Sequence, residues 1–348
     1  MYDSPSVYWD WLVGVYLFLG GLSGGAYVTG AVADYLRFRG SKTNPMETTG
    51  ISAKAYDAVV SSAPGDKTDG HAMTALAGMV VSFVAIGIGG LVLLAHLGEP
   101  LNVIEIWRFA NPESWMSIGV WVIILFVVMT LLQIVFMGFG DDGGFGVYLG
   151  PIDRLVNRIS PSTGTRLSMH IVGVALAVTL IVYTALLLSA VQPVVPLWHS
   201  TLLPLLFLTS GLSIGISATL IVTALSRGVT DTGVHEFSLA DDVLIVGELA
   251  VLGALLVYLS NEGGIATQSY EILTETFVLE FWVMVVAVGL VAPLALSATL
   301  VVLNRTGHHL SGRLGQAAYT TKFGLVLVGG LFLRLSVLYA ALHIPLLA

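Results

Sequence analysis

Eight long apolar runs divide the chain, over residues 12–35, 72–95, 116–139, 169–191, 202–225, 243–259, 277–303 and 323–346. An α-helix needs about 20 predominantly apolar residues to cross the hydrocarbon core of a bilayer, and these runs are of that order. A stretch such as "GLVLVGGLFLRLSVLYAALHI" shows none of the residue-by-residue alternation of a transmembrane barrel strand. The pattern therefore predicts an all-α integral membrane protein with eight transmembrane helices. Composition agrees, because 56% of the 348 residues are hydrophobic and 10% are charged, a surface no soluble domain could keep dispersed in water. The longest connection, about 36–71, is rich in Gly, Ser, Thr and Asp and reads as a loop, so the chain is expected to hold no soluble catalytic domain.

Charge placement orients the bundle. Basic residues follow the odd-numbered runs: Arg37, Arg39, Lys42, Lys54 and Lys67 after the first, Arg154, Arg158 and Arg166 after the third, Arg227 after the fifth, and Arg305, Arg313 and Lys322 after the seventh. The alternate connections contribute Arg108, and Arg334 lies inside the last run. The positive-inside rule then puts the odd connections in the cytoplasm and both termini outside, in a multi-pass protein of the cytoplasmic membrane. The first run is followed, not preceded, by arginines, which predicts a retained span and not a cleaved signal.

A parallel repeat links the first and fifth runs. "LFLGGLSGGAYVTGAVADYLR" and "LFLTSGLSIGISATLIVTALSR" carry Gly-Leu-Ser at Gly21–Ser23 and Gly211–Ser213 and reach Arg37 and Arg227 at matching distances. Two four-helix bundles, 1–195 and 196–348, are expected from this repeat, with chance likeness among small-residue helix faces as the alternative.

Candidate chemistry gathers at the outer side. "YTALLLSAVQPVVPLWHSTLLPLLFLTSG" places Pro193, Pro196, Trp198 and His199 between two spans, with Pro204 just inside the fifth. "HLGEPLNVIEIWRFANPESWMSIGVW" adds His96 and Glu99 in a second outer connection framed by aromatics. Taken singly, each reads equally as an interfacial anchor. Together they have the composition of a pocket for a flat, amphipathic, redox-active ring. The absence of cysteine removes thiolate ligands, so an iron–sulfur cluster would have to sit in another chain. A net charge of −8 argues against nucleic acid as a partner.

The segments "LFLGGLSGGAY", "HLGEPLN…NPESWMSIGVW" and "YTALLLS…PVVPLWHSTLLPLLFLTSGLSIG" resemble, in order and spacing, the NrfD-type membrane subunits of polysulfide reductase and its relatives. That resemblance implies two four-helix bundles and a menaquinone or related quinone bound near the outer face. It also implies docking to a ferredoxin-like four-cluster iron–sulfur subunit, and through it to a catalytic subunit of molybdopterin type. Carried over by position, Tyr16 matches a polar quinone-site residue on the first helix, often histidine in relatives, and Tyr183 a quinone-contacting tyrosine on the fourth. His96 stands where the family usually has an acid, and Glu99 where it often has arginine. Tyr16, His96, Glu99, Tyr183, Trp198 and His199 form the expected quinone site, with histidines suited to carry protons near neutral pH.

Ionisable groups inside spans are costly and mark function by default. Arg334 and Glu248 are predicted roughly 18 Å and 10 Å from the inner ends of their runs, at about 1.5 Å per residue. With Asp34, Gln133, Asp241 and Asp242 near inner ends and Glu280 near an outer end, they outline a proton path from the cytoplasm toward the outer pocket. A structural Arg–Glu pair is the alternative reading of the deepest two. Two other functions compete: a secondary transporter, suggested by the repeat and the midplane charges, and a haem b anchor. Haem is disfavoured because His96 and His199 lie at outer ends while His170 lies at an inner end; His343 could still pair with either outer histidine.

Overall fold

The computed structural model describes residues 11–42, 67–96, 115–139, 145, 150–159, 163–190, 194–227, 232–306 and 312–342. Among them every regular element is helical and no strand occurs. Eight helices are long and apolar enough to cross a membrane. They are α1 (Trp11–Lys42), α2 (Lys67–His96), α3 (Trp115–Gly138), α4 (Thr163–Ser189), α5 (Leu202–Arg227) and α6 (Thr232–Glu262). The seventh, α7, is wound as a π-helix over Leu279–Val291 and as an α-helix over Ala292–Arg305; α8 is Gly312–Leu342. Short helices precede α4 (Gly150–Ile159) and α7 (Ile265–Glu271).

The number of spans is the one the apolar runs predict, but several helices extend further at polar ends. α6 starts at Thr232 and not at 243, and α8 at Gly312 and not at 323. The reason is pairing. A charged residue ends an apolar run on paper, yet a helix satisfies its own backbone and continues wherever side chains find partners. Lys322 is thereby moved from the seventh connection into the body of α8, where it is fully buried.

Local chemistry sets the breaks. α6 ends where Gly263 and Gly264 adopt φ of 78° and 58°, the left-handed geometry that favours glycine as a helix stop. In α7 the π register persists to Ala292, whose N–H still reaches Ala287 O. The next residue, Pro293, has no N–H with which to continue it, and the backbone resumes as an α-helix.

α1 and α5 occupy the centre. α1 packs against α2, α4, α5 and α8, and α5 against α1, α2, α4, α6 and α8. Where α1 and α5 cross, glycines meet glycines. A methyl group at Gly25 would lie 2.1 Å from Gly211 O, and one at Gly215 would lie 2.1 Å from the Gly25 carbonyl carbon. One turn outward, a methyl on Gly21 would sit 3.6 Å from Gly211 Cα. Gly21 and Gly25 thus face Gly211 and Gly215, the positions that the two similar segments align. Lipid gives helices little hydrophobic incentive to associate, so close backbone approach through small residues supplies the van der Waals contact instead. A second such crossing brings Gly289 of α7 against Gly329 of α8, with a methyl at Gly329 2.2 Å from Gly289 Cα.

This crossing predicts a position-specific effect. Gly215→Val should destabilise the folded protein by about 3 kcal/mol or more, at the upper end of overpacking costs. Gly253→Val, at a site with nothing within 4 Å, should leave the unfolding temperature in detergent close to that of the parent protein. Equal melting of the two variants would remove the glycine contact from its central role.

Candidate functional site

Near the start of α1 and the end of α4, Tyr16 and Tyr183 come together. Both are buried, at 5% exposure each, and they are electrostatic neighbours across the helix interface. The Tyr183 ring lies in the space left by Gly119 of α3, where a methyl group would come within 2.1 Å of the hydroxyl. Two phenolic groups in an otherwise apolar wall offer O–H donors to a carbonyl-bearing ring. The side chain of His96, at the end of α2, and the whole of Glu99 lie outside the described residues.

The proline-rich connection before α5 is tied down at both of its ring residues. Trp198 donates its indole N–H to Val337 O on α8 at 3.1 Å and packs in the same apolar cluster as Tyr16. His199 accepts from the backbone N–H groups of Thr201 and Leu202 through Nδ1, at 3.1 and 3.2 Å, and so caps α5. Nε2 is left as the N–H of the neutral ring, and the ring stands edge-on to Tyr258 of α6 at 4.6 Å. Pro204 falls within the first turn of α5, where a missing N–H costs the helix nothing. Trp198 thus has its polar atom engaged in structure, while no contact among the described residues engages the His199 Nε2–H.

The expected proton path resolves into separate groups. Toward the C-terminal ends of α1 and α3 and the start of α4, His170 Nε2 lies 2.7 Å from Asp34 Oδ2, and Gln133 Nε2 lies 3.2 Å from His170 Nδ1. An amide nitrogen can only donate, so Nδ1 accepts and Nε2–H donates to the carboxylate; the amide fixes the tautomer. Asp34 Oδ1 is buried without a hydrogen-bond partner among the described residues.

The larger constellation lies among α5, α6, α7 and α8. Lys322 Nζ donates to Asp242 Oδ1 at 2.7 Å, to Ser238 Oγ at 2.7 Å and to Ser238 O at 3.1 Å, and stands 3.6 Å from Asp241 Oδ2. Ser213 of α5 donates to Asp241 Oδ1 at 2.6 Å, and Ser297 of α7 donates to Asp242 Oδ2. About two turns outward along α6, roughly 10 Å, Glu248 is hydrogen-bonded by Ser210. Arg334 Nη1 donates to the same Ser210 Oγ at 2.6 Å and to Gly330 O at 3.0 Å, with its guanidinium 5.1 Å from the centre of the Phe207 ring. Arg334 Nη2 faces Gly21 of α1, so the guanidinium sits at the glycine crossing itself. Glu280 is half-buried at the start of α7, and none of the described contacts joins it to this column.

Sequence reasoning singled out Asp241, Asp242, Glu248 and Arg334 but missed Lys322, the cation that Asp241 and Asp242 share, and the serines that link these groups. The signal for Lys322 was its position within one turn of an apolar run, "TTKFGLVLVGG", close to the paired Asp241-Asp242 at the edge of another. Among the described residues no three His, Cys, Asp or Glu side chains converge as a metal site requires.

The architecture is that of a polytopic helical membrane protein with charged groups buried between its spans. The family model described as Polysulphide reductase, NrfD matches residues 1–345. The C subunit of the polysulfide reductase of Wolinella succinogenes is 30% identical over 342 residues, covering 96% of this protein and 94% of that one. Protein NrfD of Escherichia coli is 26% identical over 97% of this protein and 96% of its own length, and an NrfD homologue of Haemophilus influenzae is 26% identical over 84% of each. The chain belongs to the NrfD polysulphide reductase family.

Removing one partner of a buried ion pair leaves an uncompensated charge, at a cost of about 3–5 kcal/mol. Lys322→Met should lower stability by that amount, read as earlier thermal unfolding in detergent. Combining it with Asp241→Asn and Asp242→Asn, which removes the stranded charges, should restore most of the loss. A Lys322→Met variant as stable as the parent would show that the cation is not needed to hold the acids.

Proposed function

We propose that this protein is the quinone-binding membrane subunit of a redox complex, exchanging electrons between the membrane quinone pool and an extracytoplasmic iron–sulfur oxidoreductase. In this reading the spans form two four-helix bundles, 1–195 and 196–348, with both termini outside. The observation that carries it is the buried, adjacent pair Tyr16 and Tyr183 on the outer half of α1 and α4. Their hydroxyls suit a menaquinone or related quinone, whose two carbonyl oxygens need donors and whose apolar body needs a dry wall. The Nε2–H of His199 and the Trp198 ring border the same apolar cluster from the second half. Bound there, the quinone supplies the redox chemistry, taking up two electrons and two protons to become quinol or returning them.

The electrons come from a partner, because this protein has no cysteine with which to bind the clusters. A ferredoxin-like four-cluster subunit, leading to a molybdopterin-type catalytic subunit, fits that need. The name of the Wolinella relative, one of the polypeptides of a reductase, supports the reading of a subunit within a larger assembly. Protons can be supplied along α5, α6 and α8, where Asp242, Lys322, Asp241 and Ser213 lead from the inner end to Glu248, Ser210 and Arg334.

The reading is tested in proteoliposomes carrying the assembled complex. Tyr16→Phe and Tyr183→Phe should each lower quinone-linked turnover at least about tenfold, or roughly 1.4 kcal/mol of transition-state stabilisation, with assembly intact. Glu248→Gln, which keeps size and hydrogen bonding but loses the titrating charge, should retain quinone binding, slow turnover and abolish the pH change inside the vesicles. Full turnover in both tyrosine variants would take the quinone away from this site. An unchanged pH response in Glu248→Gln would leave the buried charges with a structural role.

Orientation is checked separately. An alkaline phosphatase domain fused after Ala348 should be active, since it folds only outside the cytoplasm. Activity of a cytoplasm-dependent reporter at the same point would invert the bundle and put the tyrosine pair on the inner side.

A further inference from the structure

The short helix Gly150–Ile159 has no part in the reading above, and its ten residues divide into three sectors at about 100° per residue. Asp153 and Val156 turn toward the protein and are buried. Ile152, Leu155 and Ile159 form an adjoining apolar stripe that is exposed, at 36%, 54% and 54%. Arg154 and Arg158, one turn apart, occupy the remaining sector and are exposed. Arg158 borders Leu155, and Arg154 leans back to donate from Nε to Gly150 O at 3.0 Å.

Connectivity places this helix at the bilayer surface. α3 ends at Gly138 and α4 begins at Thr163, both crossing the membrane, so the segment between them lies where their ends emerge. A helix bathed in water would have no reason to expose three large aliphatic side chains in one stripe. A helix lying along the interface has one: it sinks that stripe to the depth of the upper acyl chains and keeps its arginines at head-group level.

Charge selects the lipid. The acid of the helix, Asp153, is turned inward, so the exposed charged side chains of the helix are both arginines, beside the neutral Asn157. A zwitterionic head group brings its own ammonium against those arginines, whereas an anionic phosphodiester meets them with net negative charge. We propose that this helix is a binding site for an anionic phospholipid, with acyl tails along Ile152, Leu155 and Ile159 and the head group between Arg154 and Arg158.

The natural lack of cysteine makes the test direct. The full-length protein with Leu155→Cys, labelled with a bimane fluorophore, is reconstituted into phosphatidylcholine vesicles. These contain equal small fractions of acyl-brominated phosphatidylglycerol or acyl-brominated phosphatidylcholine. Brominated phosphatidylglycerol should quench the label with roughly tenfold higher apparent affinity, on the order expected for two arginines near an anionic lipid. Adding Arg154→Gln and Arg158→Gln should erase the preference while quenching by either lipid persists. Both arginines are exposed, and the Leu155→Cys protein alone decides the matter if the triple variant fails to insert. Equal quenching by the two lipids would overturn the proposal. So would accessibility to aqueous iodide, protection from lipid and iodide alike, as a protein partner would give, or loss of the preference in millimolar inorganic phosphate, which would mark a soluble-anion site.

Discussion

The contact of Gly21 and Gly25 with Gly211 and Gly215 is the constraint on which the remaining architecture depends. It brings two backbones to a separation that any side chain would forbid, and it does so where hydrophobic attraction between helices is weak. Because α1 and α5 each touch most of the other spans, their separation sets the spacing of everything around them. It also decides where a charge can be kept. The Arg334 guanidinium occupies the gap opposite Gly21, so the same missing side chain that lets the helices touch makes room for a buried cation.

Around that axis equivalent positions have been used differently. Ser23 on α1 donates to Ser82 O of α2 and lies 3.2 Å from its hydroxyl. Ser213, its counterpart on α5, instead meets the carboxylate of Asp241 on α6. The first contact is a neutral helix clamp, while the second opens a series of charged and hydroxyl groups running through α5, α6, α7 and α8. Among α1, α3 and α4 a histidine–carboxylate contact lies toward one end and a tyrosine pair toward the other. The tyrosine pair thus lies between α1 and α4, and the column of ionisable groups among α5, α6, α7 and α8. Neither depends on a soluble domain.

Much of this was legible in the sequence, for reasons that are local. Span number follows from unbroken apolar runs, and it survives translation into structure. Arg334 and Glu248 stood out because charge inside an apolar run is expensive. Lys322 did not, since at the edge of a run it was indistinguishable from a loop lysine until α8 was seen to start at Gly312. The serines at 210, 213, 238 and 297 were invisible as links because serine in a membrane helix serves packing equally well. The trio of Asp34, Gln133 and His170 depends on the rotation of three helices, which no apolar pattern encodes when the helices are apolar nearly all round. The π winding of α7 left no trace either, because a change of period cannot be read from a segment whose every face is aliphatic or aromatic.

The burial of Lys322 between Asp241 and Asp242 has a consequence for how the protein is made. The two acids leave the ribosome 80 residues ahead of the lysine that neutralises the nearer of them. While α7 is still being synthesised, α6 carries unmatched carboxylates on a segment that is otherwise ready to enter lipid. The buried pairing that α6 has in the folded protein is therefore complete only once α8 has arrived. A polypeptide truncated before Gly312 would strand those acids at the mouth of the translocon, exposed to the proteases that survey incomplete membrane proteins.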